Sequence, residues 1–222
     1  MTEQAQASGP GYEFTNDWFN QTASLPVWRQ LISNNKPTRI LEIGSFEGRS
    51  TCWLIDNCTT ASQSDIEICC VDSWEGGIEH QKGAQKEAKM SDVEKRFDRN
   101  ISIAKSQTNF SVKIRKIKNY SQIALPLLMS EGKYEFFDLI YVDGSHQAPD
   151  VLTDAIMSFQ LLRVGGVMIF DDYLWSMDRP GTQDVLKMPK PAIDAFLNIF
   201  QRKMSIYVGP PINQIYARKI SN

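Results

Sequence analysis

The chain has 222 residues, enough for one α/β domain with a substantial core and too few for two of ordinary size. Its 24 lysines and arginines against 26 acids give a formal net charge of -2 at pH 7, so no global field draws it to nucleic acid or an anionic membrane, and small molecules are the expected partners. An apolar content of 42% with 10% aromatics excludes a disordered chain, and no apolar run is long enough to span a bilayer.

Residues 1–37 read as an N-terminal cap segment of a single domain, 1–222. Met1 to Gly11 is a loose tail without the basic region or apolar run of a secretory signal. The aromatics Tyr12, Phe14, Trp18 and Phe19 then mark a segment expected to dock, covering a ligand crevice. Val27 with Leu31 and Trp28 with Ile32 are i,i+4 pairs, so Pro26 to Ser33 is expected to be a short amphipathic helix.

The stretch Arg39 to Ser50 organises the rest of the chain. Ile40, Leu41 and Ile43 suit a central parallel strand, Gly44 and Gly48 permit a tight turn, and Ser50 to Ile55 can continue as a helix. Such a turn presents backbone N–H groups at the carboxyl edge of a sheet, where ligands of open α/β folds bind. A dinucleotide fingerprint asks for G-x-G-x-x-G, whereas here Phe46 stands where the second glycine would admit a pyrophosphate. Glu42, two residues before the first glycine, favours a cationic or amine-bearing ligand.

Asn57 to Asp65 is expected as a polar loop and Ile66 to Val71 as the second strand, ending at Asp72, where a carboxylate can accept ribose hydroxyls or cap a helix. Residues 75–99 are polar and charged, as in a solvated helix or lid, with Phe97, Ile101 and Ile103 as anchors of its far end and His80 facing solvent. Val112 to Lys118 alternates as a strand, and Ser121 would cap a helix over Gln122 to Ser130 with Pro126 near its first turn. Phe136 to Val142 is the fourth strand, leading into Asp143-Gly144-Ser145-His146. Asp150 to Leu162 is helical, with Val151, Leu152, Ala155, Ile156, Phe159 and Leu162 on one apolar face. Gly165-Gly166 turns the chain into a fifth strand, Val167 to Phe170, ending at Asp171-Asp172-Tyr173. Ala192 to Phe200 is again helical, and 205–208 with 214–218 form a terminal strand pair joined through Gly209-Pro210-Pro211. Cys52, Cys58, Cys69 and Cys70 lack paired C-x-x-C spacing and read as buried reduced thiols of a cytoplasmic protein, with Cys69 and Cys70 on opposite faces of their strand.

Alternating strands and helices imply a doubly wound, mainly parallel sheet of seven strands, Rossmann-like, with a C-terminal antiparallel pair. Glu42, Asp72, Asp143, Asp171 and Asp172 then all lie at carboxyl ends of strands. Several carboxylates brought together call for a cation, and oxygen-only ligands suit Mg²⁺ or a similar hard ion better than zinc; the bland alternative is that the acids cap helices and bind water. His146 is suited to deprotonate a substrate hydroxyl, or else caps the following helix or orients Asp143.

The E-x-G-x-x-x-G turn, Tyr141 to His146, Leu161 to Gly166 and Phe170 to Tyr173, taken in order, resemble the branch of class I S-adenosylmethionine-dependent methyltransferases that includes macrolide-sugar O-methyltransferases and proteins named cephalosporin hydroxylases. The resemblance runs from about Arg39 to Tyr173. It implies a cofactor pocket lined by Glu42, Gly44, Ser45, Asp72, Ser73, Tyr120, Ser121 and Asp143, with the Asn119-Tyr120-Ser121 turn beside the adenine. Catechol O-methyltransferase is more distant in pattern and binds Mg²⁺ through Asp, Asp and Asn. Those positions match Asp143, Asp171 and Asp172 here, which are the implied metal ligands, while Asp143 and His146 are the implied catalytic residues. The function implied is metal-assisted O-methylation of a hydroxyl on a small molecule or natural product. The alternatives are a nicotinamide-dependent oxidoreductase and a non-catalytic cofactor-binding scaffold. A homo-oligomer is left open.

Overall fold

The computed structural model describes residues 11–21, 24–77, 80, 88–207 and 212–222. The tail at 1–10, most of the expected lid between 78 and 87, and the Gly209-Pro210-Pro211 connection lie outside the described residues. In chain order the elements are α1 (Trp18–Gln21), α2 (Leu25–Asn35), β1 (Arg39–Ile43), α3 (Arg49–Ser62), β2 (Ile66–Asp72), α4 (Met90–Ser106) and β3 (Val112–Lys118). There follow α5 (Ser121–Ser130), β4 (Phe137–Val142), α6 (Ala148–Leu161), β5 (Leu162–Phe170), α7 (Pro189–Ile199), β6 (Met204–Tyr207) and β7 (Ile215–Lys219).

The seven strands form one sheet in the order β3-β2-β1-β4-β5-β7-β6. The pairings from β3 through β5 are parallel, and β7 runs antiparallel to both β5 and β6. Reversal of strand order between β1 and β4 opens a crevice at the carboxyl edge, the ligand position of this architecture. Strand alternation divides the apolar side chains between two cores. Leu41, Ile43, Ile140, Val142, Met168 and Phe170 pack with α5, α6 and α7, while Ile40, Ile68, Leu139, Tyr141, Val167 and Ile169 pack with α2, α3 and α4. Cys69 and Cys70 fall into different cores, and all four cysteines are buried and unpaired. Among the described residues no helix is long and apolar enough to cross a membrane.

Several boundaries differ from the sequence pattern for local reasons. The polar stretch from Asn57 continues α3 to Ser62, its Asn57, Thr59 and Ser62 side chains turned back onto carbonyls of the preceding turn at 2.7–2.8 Å. In α4 the second half of the expected lid is a packed helix, burying Val93, Phe97, Asn100, Ile101 and Ala104. Ser121 begins α5 instead of capping it; Tyr120 is the N-cap, and Pro126 sits inside the helix. In α6, Ile156 is 43% exposed and Leu162 already belongs to β5, so the buried stripe is Val151, Ala155 and Phe159. Gly165 and Gly166 lie within β5, where the β4–β5 register shifts, and do not precede the strand.

Packing of α6 also buries one carboxyl, Asp154, which is 1% exposed. Its Oδ1 has no hydrogen-bond partner among the described residues, and burial pushes the group up to about 7. The folded state therefore holds this proton to a higher pH than the unfolded chain, so the group's contribution to stability is present below about pH 4 and is lost as pH rises to about 7. Asp154→Asn is expected to flatten that slope and to raise stability at pH 8 by about 2–4 kcal/mol, read from urea unfolding at pH 5 and pH 8. A parallel shift at both pH values would contradict this account.

Candidate active site

The Gly44 to Gly48 turn is built by the carboxylates on either side of it. Glu42, fully buried, accepts hydrogen bonds from Ser45 Oγ and Ser50 Oγ, each at 2.6 Å, and from Thr51 Oγ1. It thus ties β1 to the first turn of α3 and does not line the crevice, contrary to the expected cofactor contact. The cause is strand alternation: Glu42 shares the face of Ile40, which α3 covers. Burial raises its pKa against the three hydroxyls that lower it.

Asp72 holds the turn from the other side. Its Oδ2 accepts the N–H groups of Ser45 (3.0 Å) and Phe46 (2.9 Å), and its Oδ1 accepts that of Trp74 at 2.7 Å. A carboxylate offers about four lone-pair directions, so one remains toward the crevice, room for one ribose hydroxyl where the sequence allowed two. Burial is the main influence raising its pKa, opposed by those backbone donors. Because the first N–H groups of the turn are taken up by Asp72, they do not form a pyrophosphate cradle. Phe46, at φ +47°, closes the gap.

A cavity of about 680 Å³ runs from this turn to the ends of β4 and β5. Gly44, Ser45, Asp72, Ser73, Tyr120 and Ser121 all border it, as does Asn119. Gln122, to which the sequence pattern gives no role, also faces it and donates to Asp150 Oδ1 at 3.1 Å, while Ser145 Oγ donates to Asp150 Oδ2 at 2.8 Å. His80, expected in solvent, is half-buried at the rim and stacks on Phe46 with centroids 5.2 Å apart.

At the opposite end Asp143, His146, Asp171 and Asp172 converge on the cavity. Tyr141 Oη donates between Asp143 Oδ2, at 2.9 Å, and Asp171 Oδ2. Asp171 Oδ1 accepts the Asp172 N–H at 2.8 Å, and His146 Nε2 pairs with Asp172 Oδ2 at 2.7 Å. Burial, followed by Asp171 and Asp172, pushes the Asp143 carboxyl well above the usual carboxylate range; burial and Asp172 bring Asp171 to about 6. Among the described residues, the cluster whose ligand atoms lie within 4.8 Å of one another is Asp143, His146 and Asp172. Asp171, expected as a ligand, is not in it; one of its oxygens accepts the Tyr141 hydroxyl and the other the Asp172 N–H. No local sequence pattern signals this contact, because Tyr141 reaches Asp171 from the neighbouring strand.

Of the N-terminal aromatics, Trp18 and Phe19 border the crevice, while Tyr12 and Phe14 pack on the core beside α3 and α4. Asn100 accepts the Glu13 N–H at 2.8 Å and donates to its carbonyl at 3.0 Å, and Glu47 accepts both the N–H and the hydroxyl of Thr15 at 2.7 Å. Arg49 pairs with Asp17 at 2.8 Å and lies over the Phe14 ring. This strap brings Trp18 to within 5.6 Å of Phe46 at the cavity rim.

A family model described as a methyltransferase domain matches residues 41–173, more than half of the chain. An uncharacterised protein of Acanthamoeba polyphaga mimivirus is 24% identical over 140 residues, which cover 60% of this chain and 50% of that protein, so the chain spans about half the length of the curated relative it matches. Among solved structures, the O-methyltransferase NovP superposes with a TM-score of 0.61 at 19% identity, covering 89% of this chain and 79% of that one. The O-methyltransferase of Bacillus cereus in complex with SAH gives 0.58 at 18%, over 90% and 82%. The O-methyltransferase TomG of Streptomyces achromogenes, involved in tomaymycin synthesis and in complex with SAM, gives 0.56 at 18%, over 88% and 78%.

Proposed function

The chain belongs to the methyltransferase-domain family, and on that basis we propose that it transfers the methyl group of S-adenosylmethionine to a hydroxyl of a small hydroxylated molecule. One observation carries the reading: a single cavity joins the Gly44 turn and Asp72, which suit a nucleoside, to a carboxylate–imidazole cluster, which suits hydroxyl activation. At about 680 Å³ it has the size of a site for a drug-sized ligand.

The reaction forms an O–CH₃ bond, breaks the S–CH₃ bond, leaves a neutral thioether and passes the hydroxyl proton to His146, whose imidazole borders the cavity. The chain's contribution is placement. Asp72 would receive a ribose hydroxyl, the Asn119 to Ser121 turn would border the base, and the floor of the cavity would hold the acceptor oxygen toward the methyl group. Two or more carboxylates converge there with no lysine or arginine paired to Asp143, Asp171 or Asp172 among the described residues, an electrostatic setting that fits a divalent cation. Such an ion supplies Lewis acidity that lowers the pKa of the acceptor hydroxyl.

Calorimetry is the deciding measurement. S-adenosylmethionine or S-adenosylhomocysteine should bind and NADH should not; folded protein that binds neither sulfur compound would sink the cofactor assignment, and tight NADH binding would favour an oxidoreductase. Asp72→Ala is expected to weaken S-adenosylhomocysteine binding about 10- to 100-fold, because a charged acceptor is lost and the turn it holds is released. An unchanged affinity would move the ribose elsewhere. Methyl turnover against polyhydroxylated acceptors then separates an enzyme from a binding scaffold.

A further inference from the structure

We infer that Arg49 binds the carboxylate of the cofactor's amino-acid arm, and that through its hold on Asn16 and Asp17 the same side chain couples this contact to docking of the N-terminal strap, residues 12–19. This rests on the S-adenosylmethionine reading of the cavity and assigns the part of that cofactor to which the reading gives no partner.

The shape of the cavity supplies the first argument. A sulfonium carries three arms, and on this reading the adenosine takes the wall from Asp72 to Ser121 while the methyl group points to the acids at the ends of β4 and β5. A third stretch of wall, Asn16, Trp18, Phe19, Arg49 and Ser50, is left for the amino-acid arm. Charge supplies the second argument. Among the described residues that border the cavity Arg49 is the one lysine or arginine, set against the acids Glu47, Asp72, Asp143, Asp150, Asp171 and Asp172. A carboxylate entering here is repelled by those acids and attracted by that guanidinium, while the ammonium of the same arm meets no such repulsion. Ser50 cannot serve in its place, because its one O–H donates to Glu42 at 2.6 Å. The Arg49 side chain is 11% exposed, and burial lowers its pKa against the pull of Asp17 and Glu47. A partly desolvated cation gains more from a charged acceptor than a surface arginine does.

Arg49 also holds the strap. It pairs with Asp17 at 2.8 Å, donates to the Asn16 carbonyl and lies 4.2 Å from the centroid of the Phe14 ring. A guanidinium presents five N–H donors in a rigid planar fork, so a ligand that fixes the fork also fixes the strap segment bound to it. By linkage, the docked strap raises affinity for a carboxylate-bearing ligand by the same factor with which that ligand favours docking. Because Glu47 and Asn100 hold Thr15 and Glu13 as well, the strap stays tethered without a ligand, and the arm changes how often it opens.

The test uses the whole chain and two probes, S-adenosylhomocysteine and 5′-methylthioadenosine, which share the adenosyl thioether and differ in the amino-acid arm. By calorimetry the unaltered protein should bind S-adenosylhomocysteine about tenfold tighter or more. Arg49→Gln should weaken S-adenosylhomocysteine by about tenfold or more and leave 5′-methylthioadenosine within about threefold, which also shows a folded site. Arg49→Lys, which keeps the charge and loses the fork, should fall between the two. Chymotrypsin cuts after the strap aromatics Tyr12, Phe14, Trp18 and Phe19. Saturating S-adenosylhomocysteine should slow those cuts about fivefold or more in the unaltered protein and not in Arg49→Gln, and 5′-methylthioadenosine should slow them in neither. Equal affinity for the two probes, equal losses or no loss for both in Arg49→Gln, or equal protection of the strap by both overturns the inference and leaves the cofactor reading standing. Failure of both probes to bind the folded, unaltered protein overturns the cofactor reading with it.

Discussion

Gly44→Ala will lower the melting temperature by about 10 °C or more and abolish detectable cofactor binding. A Cβ at this position would stand 1.9 Å from the Asp143 carbonyl oxygen and 2.8 Å from Gly144 Cα, and the residue holds φ +88°. The obstacle is backbone, so no side chain can swing aside. Neither partner can retreat, because Gly44 N–H donates to Val71 O at 2.9 Å and Asp143 N–H to Ile43 O at 2.8 Å, extending the β1–β2 and β1–β4 pairings into the site. Left-handed strain alone costs on the order of 1–2 kcal/mol, and prising β1 from β4 brings the total to about 3–5 kcal/mol. Gly181 is the control: it has the same φ of +88° with nothing near an added Cβ, so Gly181→Ala should show the strain without the collision. Equal losses in the two variants, measured by thermal melting, would show that the close approach contributes nothing.

Glu42→Ala should cost about 4 kcal/mol, and Glu42→Gln about 1–2 kcal/mol, in urea unfolding. The carboxylate is the shared acceptor of three buried hydroxyls, and truncation leaves all three without it next to a new void. The second variant separates this role from the one its position in the sequence suggests. If Glu42 touched the cofactor, Glu42→Gln would weaken S-adenosylhomocysteine binding with little effect on stability. The geometry predicts the reverse, a less stable protein whose affinity at a temperature well below melting changes less than about threefold. An affinity loss of tenfold or more would return Glu42 to the cofactor pocket.

Much of the fold was legible because β1, β2, β4 and β5 carry apolar runs ending at glycines or acids, and the helices between them force parallel pairing. The acids at the carboxyl ends, Asp72, Asp143, Asp171 and Asp172, stand out for the same reason. Side-chain direction is harder to see. Alternation aims Glu42 into the α3 side, and the hydroxyls of Ser50 and Thr51 that receive it lie eight and nine residues away, where spacing gives no cue to a shared partner. The diversion of Asp171 depends on Tyr141 from a neighbouring strand, a contact created by sheet order and absent from any local pattern. Helix α4 looks solvated in sequence because only a narrow stripe of it, Val93, Phe97, Ile101 and Ala104, is apolar; its buried Asn100 resembles a surface residue until the strap backbone it holds is in place.

The antiparallel placement of β7 sets a timetable for synthesis. Its residues Ile215 to Lys219 pair with β5 on one side and β6 on the other, and Gln214 just ahead of it accepts the Trp28 indole N–H at 2.7 Å, across 186 positions of sequence. Trp28 in turn packs edge-on against Tyr141, the residue that bridges Asp143 and Asp171, with centroids 4.8 Å apart. A nascent chain can therefore pair β1 to β5 while still on the ribosome, yet the acid end of its cavity stays unbraced until residues 212–222 have emerged. Until then β5 exposes an unpaired, apolar edge, the state in which such a chain most needs a chaperone.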